Sequence, residues 1–397
     1  MRRLWCAKCI VSLLVSVALT FHLLRMGTNE QTLDKPSTYA LELEDSKSID
    51  IPPTSHSFTK SIPYLRRKLS QGNTVTARET LTPKWIVLAG NVTVHEGTKY
   101  VPNYVSFDVN SPYLCANFYE YKTKLLIFVA SSANHFEQRQ AIRETWGLKL
   151  LQQAYNYRVV FLLGKTKESE QQLMTQESYR YGALVQINLT ESFRNLGRKS
   201  VAGLQWTKQF CKQADFIMKT DDDILVHVPN LLKALEGAEK TDPLLMCHEN
   251  RMRQILRKEL LDSASIPPTY HKYEVSENEL PGKYYPPYCS GMAYVFSSTV
   301  RDWLLEASAT TPIFFIEDVY LTGFCRHKAG VIIKPHSGIT LRPPIDFHQA
   351  ACTFRDGRIS SQEVGVKELR KLWVETNTQG FFCPQLLGYA KDRKEFE

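Results

Sequence analysis

Residues 216–223 read FIMKTDDD, an apolar strand pattern that ends in three consecutive aspartates. In open α/β sheets ligands bind beyond the carboxyl ends of the strands, so these carboxylates stand where a site is expected. Clustered carboxylates repel one another unless a cation joins them, and oxygen ligands suit Mg²⁺ or Mn²⁺. Side chains two apart on an extended segment face the same way, so Asp221 and Asp223 are predicted to converge on one ion while Asp222 points elsewhere. The alternative is a solvated acidic turn that caps the next helix.

Around this motif the chain alternates short apolar runs with amphipathic stretches. Strands are predicted at residues 124–134, 157–164 and 183–189, and helices at 135–147, 167–182, 200–213 and 228–238. Asn134 to Glu137 resembles a helix-capping box, and Gly147 is expected to end that helix. The alternation predicts βαβ units, hence an α/β fold with a mostly parallel sheet and helices on both faces. A GxGxxG after a strand and a GxxxxGK motif are both absent, which excludes the common dinucleotide and P-loop sites.

A second acidic pair, Glu317 and Asp318, follows the apolar run PIFFI at residues 312–316. Burial raises the pKa of a carboxyl group, and a carboxylate with a raised pKa is basic enough to accept a proton. The pattern therefore predicts a catalytic base here. The alternative is an acidic helix N-terminus stabilised by the helix dipole.

Two arginines and one aromatic segment are further candidates. Arg139 and Arg143 are four residues apart and therefore lie on one helix face, where they are able to clamp a phosphate. The alternative is a pair of surface salt bridges with Glu137 or Glu144. Residues 284–297, YYPPYCSGMAYVFS, combine a rigid Pro-Pro, a Ser-Gly turn and several aromatic rings. Such rings either stack on a sugar or a base or form core.

An uncharged apolar stretch near the N-terminus is preceded by Arg2, Arg3 and Lys8 and is not followed by an A-x-A-like cleavage site. We expect an uncleaved membrane anchor rather than a cleaved signal peptide, with the N-terminus cytosolic by the positive-inside rule. The following segment, rich in Ser, Thr, Pro and charge, is expected to form a flexible lumenal stem. The expected boundaries are residues 1–8 for the cytosolic tail, 9–25 for the anchor, 26–82 for the stem, 83–121 for a transitional segment and 122–397 for the main domain.

Asn91 and Asn188 each begin an N-glycosylation sequon, which agrees with a lumenal body. Seven of the nine cysteines follow the N-terminal segment. In an oxidising lumen some of them should pair, and the odd count leaves at least one free or intermolecular. No two of these seven later cysteines have CxxC spacing, so a zinc site or a thioredoxin-like site is not expected among them.

The composition is that of a globular protein: 43% of the 397 residues are hydrophobic and 23% are charged. Lys and Arg total 49 against 41 Asp and Glu, a net charge of +8. The basic residues are interspersed with acids rather than gathered in a stripe, so nucleic acid is not an expected partner. The anchor and the sequons also oppose a nucleic-acid-binding function.

Six motifs occur in order between Lys122 and Trp373: RQAIRETWG, VVFLLG, ESFRNLGRKSVAGLQW, FIMKTDDD, YYPPYCSG and IEDVYLTG. Together they resemble the β-1,3-galactosyltransferase and β-1,3-N-acetylglucosaminyltransferase family. The resemblance implies a nucleotide-sugar-binding α/β fold of the GT-A type. The anchor and stem match the family's type II Golgi layout, with the catalytic domain in the lumen.

The resemblance assigns the aspartate motif to the sugar donor. Asp221 and Asp223 would bind Mn²⁺ or Mg²⁺, with Asp223 the best direct ligand, and the triplet including Asp222 would bind UDP. The metal ion would neutralise charge on the departing UDP. The nucleotide pocket would further contain Arg139, Arg143 and Lys199.

The acid pair would act on the acceptor. Asp318 matches the family's catalytic base, and Glu317 would orient that base or hold the acceptor. The implied reaction transfers galactose from UDP-galactose to the 3-hydroxyl of an acceptor sugar on a glycoprotein or glycolipid, with inversion to a β linkage. The alternative within the class is transfer of N-acetylglucosamine or N-acetylgalactosamine from the corresponding UDP-sugar. A catalytically inactive lumenal sugar-binding protein is the alternative of another class.

Two positions depart from the family's pattern. Family members often carry a histidine, a candidate third metal ligand, where this chain has Ser361, or Gln362 after a one-residue shift. Two upstream histidines are possible substitutes, His336 and His348. The second departure is CSGMA at residues 289–293, where the family has CSGGG or CSGTG, and it is expected to alter the donor or acceptor pocket.

Overall fold

The computed structural model describes residues 106–116, 123–262, 266–341, 347–362 and 364–378. The expected tail, anchor and stem, together with Asn91, lie outside these ranges. Within them, no helix combines the length and apolar character needed to cross a bilayer.

A central sheet organises the domain. Its strands are β1 (Phe107–Val109), β2 (Leu125–Ala130), β3 (Tyr157–Lys165), β4 (Leu184–Thr190), β5 (Phe216–Asp221), β7 (Leu245–Asn250), β8 (Tyr288–Ser297) and β9 (Lys334–Pro335), while β6 (Leu225–Val226) and β10 (Ser360–Ser361) form a separate pair. Within the described residues the order is β1-β4-β3-β2-β5-β8-β7-β9. The strands β4, β3, β2 and β5 are mutually parallel, β8 is antiparallel to β5 and β7, and β1 is an antiparallel edge. The predicted mostly parallel sheet is confirmed, with antiparallel strands added on both sides.

The central strands are continuous apolar runs because the sheet is buried on both faces. In β2, Leu126 and Phe128 belong to one core cluster, whereas Leu125, Ile127 and Val129 belong to the other. This division follows the period of two of a strand.

Helices cover both faces, as predicted. They are α1 (Phe136–Glu144), α2 (Lys149–Ala154), α3 (Glu168–Tyr181), α4 (Leu196–Phe210), α5 (Val228–Ala234), α6 (Lys258–Leu261), α7 (Ser298–Ser308), α8 (Arg326–Lys328), α9 (Phe347–Arg355) and α10 (Val366–Asn377), with 3₁₀ turns at Phe193–Asn195 and Pro268–Tyr273 and a π-helix at Val319–Cys325. Val201 and Leu204 of α4 pack in one core cluster, and Ala141 and Ile142 of α1 pack in the other.

The ends of α1 test two expectations. The capping box at Asn134 is wrong, because the N-cap is His135 and no side chain caps the helix. The helix ends earlier than expected, at Glu144 with Thr145 as its C-cap, and Gly147 lies two residues beyond that cap, where its N–H donates to the Ile142 carbonyl at 2.8 Å.

Two disulfides lie within the described residues. Cys115 bonds to Cys211, which joins residues 106–116 to the end of α4. The segment regarded as transitional therefore supplies both β1 and a covalent link to the domain. Cys247 bonds to Cys289 and connects β7 to β8. In the described part of the chain Cys325 is free and buried, as the odd count required.

Candidate active site

The aspartate motif and the acid pair meet at the carboxyl edge of the parallel strands. β5 ends at Asp221, so the rest of the triplet lies beyond that edge. The antiparallel β8 begins at the same edge, and the N–H of its Gly291 donates to Asp318 Oδ2 at 2.9 Å. The fold thus brings together two acidic motifs that lie far apart in the sequence.

A buried lysine stands between the two motifs. Lys219 Nζ lies 2.8 Å from Asp221 Oδ1 and 2.7 Å from Glu317 Oε1, and it donates to the Gly291 carbonyl at 2.6 Å. Burial alone would lower the pKa of Lys219, but the two carboxylates outweigh that effect and raise it. Sequence reasoning missed this residue. Its signal was a lysine inside a strand buried on both faces, where a charge requires a partner.

The acid pair is held from several sides. Glu317 Oε2 accepts a hydrogen bond from the Tyr294 hydroxyl at 3.1 Å. Asp318 is the N-cap of the π-helix, and its Oδ1 accepts from the Val319 N–H at 2.9 Å. Burial and the charge of Glu317 raise the pKa of Asp318 to about 7, against the opposing effects of Lys219 and the backbone donors. Asp318 thus stands at a helix N-terminus and its carboxyl group has a raised pKa, while its role as a catalytic base stays a prediction.

The three aspartates occupy three different environments. Burial raises the pKa of Asp221 to about 6, partly offset by Lys219. Asp222 Oδ2 lies 2.9 Å from His135 Nδ1, and this hydrogen bond raises the pKa of His135. Asp223 is exposed. The alternative of an aspartate cap is wrong, since the N-cap of α5 is His227 and its side chain accepts from the helix.

Asp221 and Asp223 suit a divalent cation. Asp221 is the last residue of β5, and Asp223 follows two residues later with an exposed side chain, so both carboxylates stand at the same strand end. Among the described residues no group of three His, Cys, Asp or Glu side chains is placed to hold an ion. Mg²⁺-type sites on nucleotides typically use one or two carboxylates, with substrate phosphates and water completing the shell. The donor set fits that kind of site.

Ser361, which stands where family members often carry a histidine, lies on a strand next to the segment that follows the aspartate motif. Ser361 of β10 pairs with Leu225 of β6, and the Val364 N–H donates to the Asp223 carbonyl at 3.0 Å. Ser361 is fully buried, and its Oγ accepts from the Arg358 guanidinium at 3.1 Å. Its hydroxyl is therefore engaged within the protein.

The two substitute histidines gain no support as ligands. His336 Nδ1 accepts from the Gly338 N–H at 3.1 Å within its own turn, and burial lowers the pKa of His336. The side chain of His348 lies outside the described residues.

Arg139 does not form the expected phosphate clamp. Its side chain is fully buried and makes a bidentate ion pair with Glu177, at 2.8 and 2.7 Å. The remaining donors reach Ser131 Oγ and the carbonyls of Ser132 and Ala133 at 2.9, 2.5 and 3.1 Å. A guanidinium has five N–H donors, and all five are used here. The alternative, surface salt bridges with Glu137 or Glu144, is not observed either, because both arginines pair with Glu177.

Arg143 and Lys199 also pair within the protein. Arg143 contacts the same Glu177 at 2.6 Å. Lys199 Nζ is buried between the Ser131 carbonyl, at 2.5 Å, and the Glu191 carboxylate, at 2.8 Å, and burial lowers its pKa. Arg139 and Lys199 thus hold carbonyl groups of the loop that follows β2, next to the end of β5, whereas Arg143 contacts Glu177 and the rings of Phe161 and Tyr181.

The aromatic segment is mainly core. Tyr285 and Tyr288 are buried in one core cluster, while Met292 and Ala293 are buried in the other. Met292 and Ala293 are therefore core residues, and their effect on the donor or acceptor pocket stays a prediction. Gly291 is the sensitive position, because a Cβ there would lie 3.1 Å from Asp318 Oδ2 and 3.2 Å from Glu317 Oε1.

In sequence, the chain is similar to known galactosyltransferases. A family model described as "Galactosyltransferase" matches residues 137–337. Human "Beta-1,3-galactosyltransferase 5" is 31% identical over 66% of this chain and 81% of its own length. Mouse "Beta-1,3-galactosyltransferase 1" is 28% identical over 70% of this chain and 80% of its own. A solved structure of the galactosyltransferase LgtC with donor and acceptor sugar analogs aligns with 66% of this chain and 98% of its own at 11% identity, with a TM-score of 0.31.

In this α/β sheet β5 ends in aspartates with the acid pair beside them, and this cluster is the candidate active site. With the family match, the chain is a hexosyltransferase. It belongs to the galactosyltransferase family.

The role of Arg139 in supporting the loop can be tested by stability. Arg139→Met leaves the buried Glu177 with one cation instead of two, and we expect the free energy of unfolding to fall by about 3 kcal/mol or more. Urea denaturation measures it. The control is Arg370→Met, whose ion pair with Glu144 spans 2.7 Å but is partly exposed, with an expected loss below about 1 kcal/mol. Equal losses in the two variants would refute this role.

Proposed function

We propose that the protein transfers galactose from UDP-galactose to the 3-hydroxyl of an acceptor sugar on a glycoprotein or glycolipid, with inversion to a β linkage. The observation that carries the proposal is Asp318, a partly buried carboxylate held by two backbone N–H groups close to the aspartate motif, with a pKa raised to about 7. Such a pKa lets a carboxylate accept a proton near neutral pH and remain available for the next turnover. Membership of the galactosyltransferase family supports galactose as the sugar.

Asp318 acts as the base in this proposal. Its two oxygens are fixed by the N–H groups of Gly291 and Val319, both at 2.9 Å, so the carboxylate cannot rotate freely. As the acceptor oxygen attacks the anomeric carbon, its proton passes to Asp318 and the bond from that carbon to UDP breaks. The charge of Glu317 keeps the base strong by raising the pKa of Asp318.

The donor would bind at the end of β5. Asp221 and Asp223 would hold Mn²⁺ or Mg²⁺, which when bound supplies positive charge to the diphosphate. The loop after β2 lies next to this end, because Ala130 pairs with Asp221. Arg139 and Lys199 would serve the nucleotide by fixing that loop. Asp222 would be oriented by His135.

We further propose a GT-A-type fold in a type II Golgi membrane protein with a lumenal catalytic domain. Family membership, the basic and apolar N-terminal sequence and the disulfides Cys115–Cys211 and Cys247–Cys289 support this proposal. Asn188 is exposed on β4 and therefore accessible to glycosylation.

Glycan attachment tests the lumenal placement. We expect the full chain made in animal cells to carry N-glycans at Asn188 or Asn91, because both sequons would face the lumen. Digestion with an N-glycosidase should increase electrophoretic mobility, and the double Asn→Gln variant should not respond. Confinement of the protein to the cytosol in fractionation would contradict the proposal.

The donor is tested by UDP release from the secreted lumenal region, assayed against UDP-galactose, UDP-N-acetylglucosamine and UDP-N-acetylgalactosamine with a panel of acceptors. We expect turnover with UDP-galactose in the presence of Mn²⁺. Asp223→Ala should abolish it or raise the Mn²⁺ requirement, since one oxygen ligand is lost. Turnover with an N-acetylated donor alone would reassign the sugar, and none with any donor would overturn the enzymatic proposal.

The base is tested by pH dependence. Because Asp318 accepts a proton only when ionised, kcat/KM should rise with pH and level off above about 7. Asp318→Asn should reduce kcat at least about 1,000-fold and leave UDP binding, measured by calorimetry, nearly unchanged. A flat profile between about pH 5 and 8, or near-normal turnover by the variant, would show that another group is the base.

A further inference from the structure

Lys219 has three close polar partners inside the candidate site. Nζ donates hydrogen bonds to Asp221 Oδ1 at 2.8 Å and to the Gly291 carbonyl at 2.6 Å, and it forms an ion pair with Glu317 Oε1 at 2.7 Å. The side chain is only 3% exposed. Each partner belongs to a different part of the site, namely the end of β5, the acid pair and the start of β8.

The contact with Gly291 extends the influence of Lys219 to the base. The Gly291 carbonyl accepts from Lys219, and the Gly291 N–H donates to Asp318. The Glu317 carboxylate is clamped between Lys219 on one oxygen and the Tyr294 hydroxyl on the other. Lys219 therefore restrains both the residue next to the base and the backbone that holds the base.

The positive charge of Lys219 compensates the negative charges of the neighbouring carboxylates. Asp221, Glu317 and Asp318 would repel one another in a buried site without a resident cation, and a buried carboxylate that loses its partner is strongly destabilised. Among the lysines and arginines of the described residues, only Lys219 forms ion pairs with both acidic motifs, through Asp221 and Glu317.

We propose that Lys219 is a positioning residue for the transfer reaction and acts through Glu317 to keep Asp318 in its working geometry. This inference rests on the proposed function. It differs from a purely structural role because the part of its effect that passes through Glu317 must disappear once Glu317 can no longer form the ion pair.

A double-mutant cycle tests the proposal in the full enzyme. K219M should lower kcat about 100-fold and change the donor KM less than about threefold, while K219R should regain at least about tenfold of the loss. If Lys219 acts through Glu317, the kcat of K219M/E317Q should lie within about threefold of the slower single variant. The control is K208M, which removes a half-exposed lysine from α4 and should leave kcat unchanged.

Two results would overturn the proposal: losses that multiply in the double variant, or a K219M enzyme with wild-type kcat. Should K219M not fold, Y294F removes the other anchor of Glu317 with little change in volume. Y294F should lower kcat about tenfold, without multiplying the loss of E317Q, whereas Y157F, which removes a buried hydroxyl from β3, should not. A Y294F enzyme with wild-type kcat would then overturn it. Absence of transfer by the wild-type enzyme would instead refute the proposed function.

Discussion

The site depends on how one buried ammonium group is shared among carboxylates. Lys219 joins the end of β5 to the acid pair and to β8, so strand register, helix position and charge balance are set by the same contacts. The positive charge of Lys219 does not fully compensate the burial of Asp318 and the negative charge of Glu317. The pKa of Asp318 stays near 7 instead of 3.8, so ionising this group as the pH rises through that interval costs the folded state stability. The raised pKa of Asp318 is thus kept at the expense of stability, while the charge of Lys219 limits the cost.

A second set of cations supports the neighbouring loop from behind. Arg139 and Arg143 share the carboxylate of Glu177, and Lys199 pairs with Glu191. Buried pairs of this kind contribute specificity of geometry more than net stability. Here Arg139 and Lys199 fix backbone carbonyl groups of the loop after β2, so buried basic residues shape this side of the candidate site through contacts within the protein.

Much of this arrangement could be predicted from the sequence. Apolar runs located the strands, and the ordered motifs located both acidic clusters, because strand ends and local patterns are short-range information. The partners of Arg139, Lys219 and Asp222 could not be read in the same way. Glu177, Glu317 and His135 reach them only through the packing of separate elements. The sequence also left open which face of the sheet the side chains of CSGMA would occupy. The register of β8 against β5 determines that Met292 lies in the core.

The disulfide between Cys247 and Cys289 lies two residues before Gly291, whose backbone holds both the base and Lys219. The strand that completes the site is thus covalently stapled to its neighbour. Such bonds form in oxidising compartments and are rare where glutathione keeps thiols reduced. Recombinant production in a reducing bacterial cytosol would therefore yield chains in which β8 lacks its staple, so preparation of active protein calls for an oxidising secretory host.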